Sequence, residues 1–91
     1  MTTVVDWHKV CGDSVAQSLQ EAREKLSGAE GEVVLDFAAV RRIDPSGLRA
    51  VEEFANAAEG KSVGVTLRGV NVDVYKVLKL ALLAGRFSFV N

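Results

Sequence analysis

The sequence predicts an α/β fold with a mixed, mainly parallel sheet of about four strands, and three observations carry that prediction. Strand-length runs alternate with amphipathic stretches in the order strand, helix, strand, helix, strand, helix, strand. The run Val33-Val34-Leu35-Asp36-Phe37 is apolar at consecutive rather than alternate positions, the pattern of a central strand covered on both faces. Gly, Asp and Asn stand at the junctions, where caps and turns need them. Strands separated by helices are joined by right-handed crossovers and so run parallel. The 91 residues suffice for one core, so residues 1–91 are expected to form one domain.

The first strand is expected within Thr3 to Val10. From Asp13, read as an N-cap, Val15, Leu19, Ala22 and Leu26 recur at helical spacing, and Gly28 is the expected stop. The central strand over Val33 to Phe37 leads through Arg41-Arg42-Ile43 to Asp44-Pro45-Ser46-Gly47. There Asp44 can cap a second helix and Pro45 suits its first turn. Leu48, Val51, Phe54, Ala55 and Ala58 give that helix its apolar face, and Glu59-Gly60 ends it.

Val63, Val65 and Leu67 alternate with Gly64, Thr66 and Arg68 in a third strand, closed by Gly69. Asn71 caps a third helix whose core stripe is Val74, Val77, Leu78 and Ala81. Val72, Tyr75, Leu82 and Leu83 fall outside that stripe together with Lys76 and Lys79, so this helix carries more apolar surface than one buried face needs. Gly85 is its expected stop, and Phe87-Ser88-Phe89-Val90 reads as a short last strand.

Eleven Lys plus Arg against twelve Asp plus Glu leave a net charge of −1, so no bulk field draws the chain to nucleic acid or to an anionic membrane. A single cysteine, Cys11, forms no intramolecular disulfide, which fits a reducing compartment. The N-terminus lacks a secretory pattern, and the apolar run Leu80 to Ala84 is far below the roughly 18 residues that span a bilayer. A cytoplasmic location is expected, without direct insertion into a membrane.

Catalytic and metal chemistry find little to work with. His8 is the only histidine and has no nucleophile near it in sequence; Cys11 has no CxxC partner. Glu59-Gly60-Lys61-Ser62 resembles the end of a phosphate loop, but Ala55 replaces its first glycine and a strand follows. No cofactor or metal is expected. Asp44-Pro45-Ser46-Gly47-Leu48 admits two readings: a cap and turn, or a loop whose serine accepts a phosphate of about −1.5 to −2 charge at a helix N-terminus.

These residues resemble a STAS domain, the small α/β sandwich of bacterial anti-sigma-factor antagonists, sulfate-transporter tails and some transporter accessory subunits. The resemblance covers Glu32 to Phe89 and rests on Val33-Val34-Leu35-Asp36-Phe37 and on Ile43-Asp44-Pro45-Ser46-Gly47-Leu48, followed by a helix, a strand and a helix. Val65-Thr66-Leu67-Arg68-Gly69-Val70-Asn71 with Val74-Tyr75 is especially similar to the cytoplasmic STAS subunit of Mla-type phospholipid ABC transporters, which docks on the transporter's ATPase. The resemblance implies a non-catalytic, protein-binding role as such an accessory subunit. The alternative is an anti-sigma-factor antagonist that binds a serine-kinase anti-sigma factor.

Two departures bear on these expectations. Where the family carries its phosphoacceptor hydroxyl this chain has Pro45, so Ser46 is the candidate phosphorylation site only if the pattern shifts by one residue. The front is short compared with the family's two-stranded start. A sheet edge is therefore expected to lie open to another chain, a homodimer included. The expected partner-binding residues are Asp44, Pro45, Ser46, Gly47 and Arg49 at the second helix, with Val72, Tyr75, Lys79 and Leu83 on the outer side of the third.

Overall fold

The computed structural model describes residues 5–26 and 31–90. Its elements are β1 (Val5–Lys9), α1 (Val15–Lys25), β2 (Glu32–Asp36), α2 (Pro45–Gly60), β3 (Gly64–Arg68), α3 (Val72–Leu80), a short 3-10 helix (Ala84–Arg86) and β4 (Ser88–Val90). The strands form one sheet in the order β1-β2-β3-β4, and each pairing is parallel. The expected mainly parallel sheet of about four strands is what the structure has: a helical crossover returns the chain before every new strand, so all four described strands point the same way, with no antiparallel pairing among them. Thr3, Val4 and the expected stop at Gly28 lie outside the described residues.

The register decides which side chains face the helices. Leu35, Leu67 and Phe89 align in one row, and Val33 pairs with Val65 in another on the same face. These residues join Leu19 and Ala22 of α1, Val51 and Phe54 of α2, and Val74 and Leu78 of α3 in one hydrophobic core. The opposite face carries Trp7, Val34, Thr66 and Ser88, then Lys9, Asp36, Arg68 and Val90. Of these only Val34 is buried. Among the described residues the sheet is therefore covered on one face, not on both as the apolar run of β2 suggests. On the open face the Arg68 guanidinium lies 5.5 Å from the centroid of Trp7 and 3.8 Å from the Asp36 carboxylate.

Two helix ends differ from expectation. Ser14, not Asp13, is the N-cap of α1, and it makes no side-chain cap bond. Instead the Ser18 hydroxyl accepts the Cys11 N–H at 3.1 Å, steadying the turn that enters the helix. At the other end of the chain α3 stops at Leu80, well before Gly85. Leu82 adopts a positive φ of 62°; its N–H donates to Lys79 O at 3.1 Å, and the Leu83 N–H donates to Leu78 O at 2.8 Å. This paired C-terminal motif commonly brings the residue after the left-handed one back onto the helix. Leu83 is consequently 4% exposed, inside the core beside Leu78, and not on the outer side of α3. Ala81, expected in the core stripe, is exposed instead.

The 3-10 helix is pinned to α2. Arg86 Nε donates to Glu59 Oε1 at 2.9 Å, and Nη2 donates to Glu59 Oε2 at 2.6 Å and to Asn56 Oδ1 at 2.7 Å. These hydrogen bonds, reinforced by the guanidinium charge, hold the Glu59 carboxyl below the usual carboxylate range.

Candidate protein-interaction surface

The loop from β2 into α2 is fixed at several points before it presents any side chain. Phe37 N–H donates to Arg68 O at 2.8 Å, Val40 N–H to Phe37 O at 2.9 Å, and Ala38 N–H to Asp36 Oδ1 at 2.9 Å. Gly69, at φ 72°, passes so close that a Cβ there would sit 3.1 Å from the Ala38 Cβ. Asn71 then locks loop to helix: its Oδ1 accepts the Val74 N–H at 2.7 Å while Nδ2 donates to Val40 O and Arg41 O, each at 3.2 Å. One side chain thus caps α3 and clamps the start of the loop.

The loop ends in the expected cap. Asp44 Oδ1 accepts the Gly47 N–H at 2.7 Å, and Pro45 occupies the first turn of α2, where its missing N–H costs no helical bond. Asp44, Pro45, Ser46 and Arg49 are exposed. Gly47 is buried; a Cβ on it would meet Asp44 Oδ1 at 3.2 Å and Val15 Cγ1 at 3.3 Å. It lets α1 and α2 approach and offers no side chain to a partner.

The structure divides the surface expected from sequence into two patches. Ser46, Arg49 and Glu53 of α2 line a groove of about 120 Å³ with Leu19, Gln20 and Arg23 of α1. Arg23 and Glu53 form an ion pair across it at 3.2 Å, and Arg49 has no ion pair among the described residues. Asp44 and Arg42 border a second hollow with Gly12 to Gln17. Val72 and Tyr75 belong elsewhere, in a groove of about 220 Å³ between α3 and β4, where the Tyr75 ring meets Phe89 edge-on at 5.2 Å. Lys79, exposed, stands on the same side of α3 as Tyr75, four residues earlier. Phe89 and Val90 were not expected to line a contact surface. Their alternation in Phe87-Ser88-Phe89-Val90 signals a strand, but only the sheet order reveals that this strand is an edge.

For chemistry of other kinds the described residues offer little. The groove beside Ser46 contains neither His8 nor Cys11. Among the described residues no group of three or more His, Cys, Asp or Glu is placed to hold a metal ion, and no described helix is long and apolar enough to cross a membrane.

Comparison with known proteins places this geometry. The family model described as "Mlab, STAS domain" matches residues 10–90. The chain belongs to the STAS domain family. Its fold is similar to that of a sulfate transporter family protein from Wolinella succinogenes, with a TM-score of 0.78 and 21% identity over 98% of this chain and 80% of that one. It is also similar to a protein described as an anti-sigma factor antagonist from Thermotoga maritima, with a TM-score of 0.71 and 16% identity over 99% of this chain and 83% of that one. At these identities the likeness establishes a shared STAS-type fold. No curated protein matches the sequence.

Proposed function

We propose that the chain is a non-catalytic, cytoplasmic accessory subunit that docks on the ATPase of a phospholipid-type ABC transporter, through the exposed start of α2 and its groove with α1. The observation that carries this reading is Pro45. At the position where a switchable STAS domain needs a hydroxyl, this chain has a residue that pre-sets the first turn of α2 and accepts no phosphate. The cap from Asp44, the buried Gly47 and the clamp from Asn71 make the loop a rigid platform, which lowers the ordering cost of docking. The description of the matching family and the segment Val65 to Asn71 support the transporter assignment over other STAS roles.

Affinity capture of the tagged protein from its native lysate, with mass spectrometry of the co-purified proteins and of the Ser46 peptide, tests the proposal. Recovery of an ABC ATPase with unmodified Ser46, lost in an Arg49→Glu variant that remains folded, is the expected result. A second reading, the anti-sigma-factor antagonist, is favoured by one observation. Ser46 is exposed in the first turn of α2, in a groove also lined by Arg49, which has no ion pair among the described residues, so a phosphate there would lie at a helix N-terminus with an uncompensated guanidinium group in the same groove. Recovery of a serine kinase with phosphorylated Ser46 would establish that reading and overturn the first.

A further inference from the structure

The six large hydrophobic side chains most exposed among the described residues are unevenly placed. Trp7 lies on β1 at one sheet edge, whereas Val72, Tyr75, Leu80, Leu82 and Val90 lie on α3, its C-terminal turn and β4 at the other. There Val70, Val72, Tyr75, Phe89 and Val90 line the groove between α3 and β4. We propose that this groove is a second protein-binding site, distinct from the α2 platform, which takes an extended segment of a partner in which apolar and acidic side chains alternate.

Three features commit the site to that occupant. β4 is an edge strand, so its outer side presents backbone donors and acceptors that an added strand can satisfy. Lipid tails cannot satisfy them, which disfavours a membrane surface. The groove itself is apolar where an incoming strand would place alternate side chains. Its polar groups are the Tyr75 hydroxyl and the Asn71 amide, and Asn71 already uses both its oxygen and its amide nitrogen inside the protein.

The charge around the groove has one sign. Lys76 follows Val72 by four residues and Lys79 follows Tyr75 by four, so both stand on the outer side of α3, and neither has an ion pair among the described residues. The single acid of α3, Asp73, lies in a different depression, with Arg41, Arg42, Val74 and Val77. A segment with apolar side chains toward Tyr75 and Phe89 and carboxylates toward the lysines complements both. A second copy of this chain would instead bring the same lysines together, and like charges brought face to face oppose association.

The test uses the ¹⁵N-labelled full chain and two short synthetic peptides, one alternating valine with glutamate and one alternating valine with lysine. The glutamate peptide is expected to shift the backbone amides of Ser88, Phe89 and Val90 and of α3, with binding measurable at or below about 1 mM. The lysine peptide should bind at least about tenfold more weakly. Tyr75→Ala and Lys79→Glu should each weaken glutamate-peptide binding at least about fivefold while keeping a dispersed spectrum. The site is overturned by no shifts, shifts confined to other elements, equal binding of both peptides, or shifts of the β4 amides that track protein concentration without peptide. A response to anionic phospholipid vesicles with none to the peptide would overturn it in favour of a membrane surface. Because capture of the ATPase is measured separately and tracks Arg49, either proposal can fail while the other stands.

Discussion

Asp44 and Gly47 act as one unit at the start of α2. The carboxylate takes the Gly47 N–H at 2.7 Å, and the missing Cβ of Gly47 leaves room both for that oxygen and for Val15 of α1. Helix cap and helix packing therefore meet at the platform proposed to face the ATPase. Asp44→Ala should lower stability by about 1 kcal/mol, the usual cost of a lost N-cap, and Asp44→Asn should restore most of it because an amide oxygen can accept the same bond. Urea denaturation of the three proteins measures both effects. Equal stability of Asp44→Ala and the wild type would mean that the cap does not hold the loop.

Asn71 carries more than a cap. Its amide nitrogen also holds Val40 O and Arg41 O, so truncation releases the loop as well as the first turn of α3. Asn71→Ala should cost about 2 kcal/mol, a cap together with the net value of the bridging hydrogen bonds. Asn71→Asp separates the two roles, since it keeps the oxygen for Val74 N–H and loses the donor. Its stability in urea should fall between those of wild type and Ala; a value equal to wild type would show that the bridge contributes nothing.

The parts of the fold set by local chemistry were legible in the sequence. Asp44 and Asn71 cap the helices they were expected to cap, and the stripes of α1 and α2 supply buried residues. What depended on tertiary geometry was not. The apolar run of β2 suggested a strand covered on both faces, yet Val34 is buried in register between Trp7 and Thr66 on a face whose other described residues are at least partly exposed. Helical periodicity placed Leu83 on the outside of α3, because it assumed that the helix continues to Gly85. The left-handed residue that ends the helix early is a leucine, Leu82, and no glycine marked the spot. The candidate surface was half legible for the same reason. The residues at the start of α2 are local and fell together, whereas the partners of Tyr75, namely Phe89 and Val90, became visible only with the strand order.

That early stop makes opposite predictions for two adjacent leucines. Leu82 is 85% exposed and pays for its positive φ, which costs a non-glycine residue roughly 1–2 kcal/mol. Leu82→Gly should therefore raise stability, by about 1 kcal/mol or less after the greater flexibility of glycine in the unfolded chain is deducted. Leu83→Asp, which puts a carboxylate in the core, should cost more than about 3 kcal/mol. Thermal or urea unfolding of both variants decides the matter, and a harmless Leu83→Asp would return that residue to the surface.

Trp7 is the only tryptophan, so its fluorescence reports the open sheet face directly. The Arg68 guanidinium over its ring, with Asp36 alongside, forms a small polar cover where a fully packed parallel sheet would have helices. Arg68→Ala should change the Trp7 emission and lower stability by about 0.5–1 kcal/mol. An unchanged spectrum would show that the stack does not persist in solution.

Glu59 gives the molecule a testable acid dependence. Its carboxyl is held below the usual range chiefly by the hydrogen bonds from Arg86, which outweigh the opposing effect of desolvation, with a lesser contribution from the guanidinium charge. A carboxylate whose folded pKa lies below its unfolded value of about 4.3 stabilises the fold above that unfolded value, and the contribution disappears as pH falls through the folded one. Arg86 stays protonated throughout this range. At neutral pH the wild type should therefore be more stable than Glu59→Gln, and the gap should narrow once the pH drops below about 4. Because Glu59 is well exposed, added salt should narrow the gap at neutral pH as well. Urea titrations of both proteins at neutral and acid pH, with and without salt, measure the two effects; a gap independent of pH would mean that the ion pair contributes nothing and that glutamine matters only through packing.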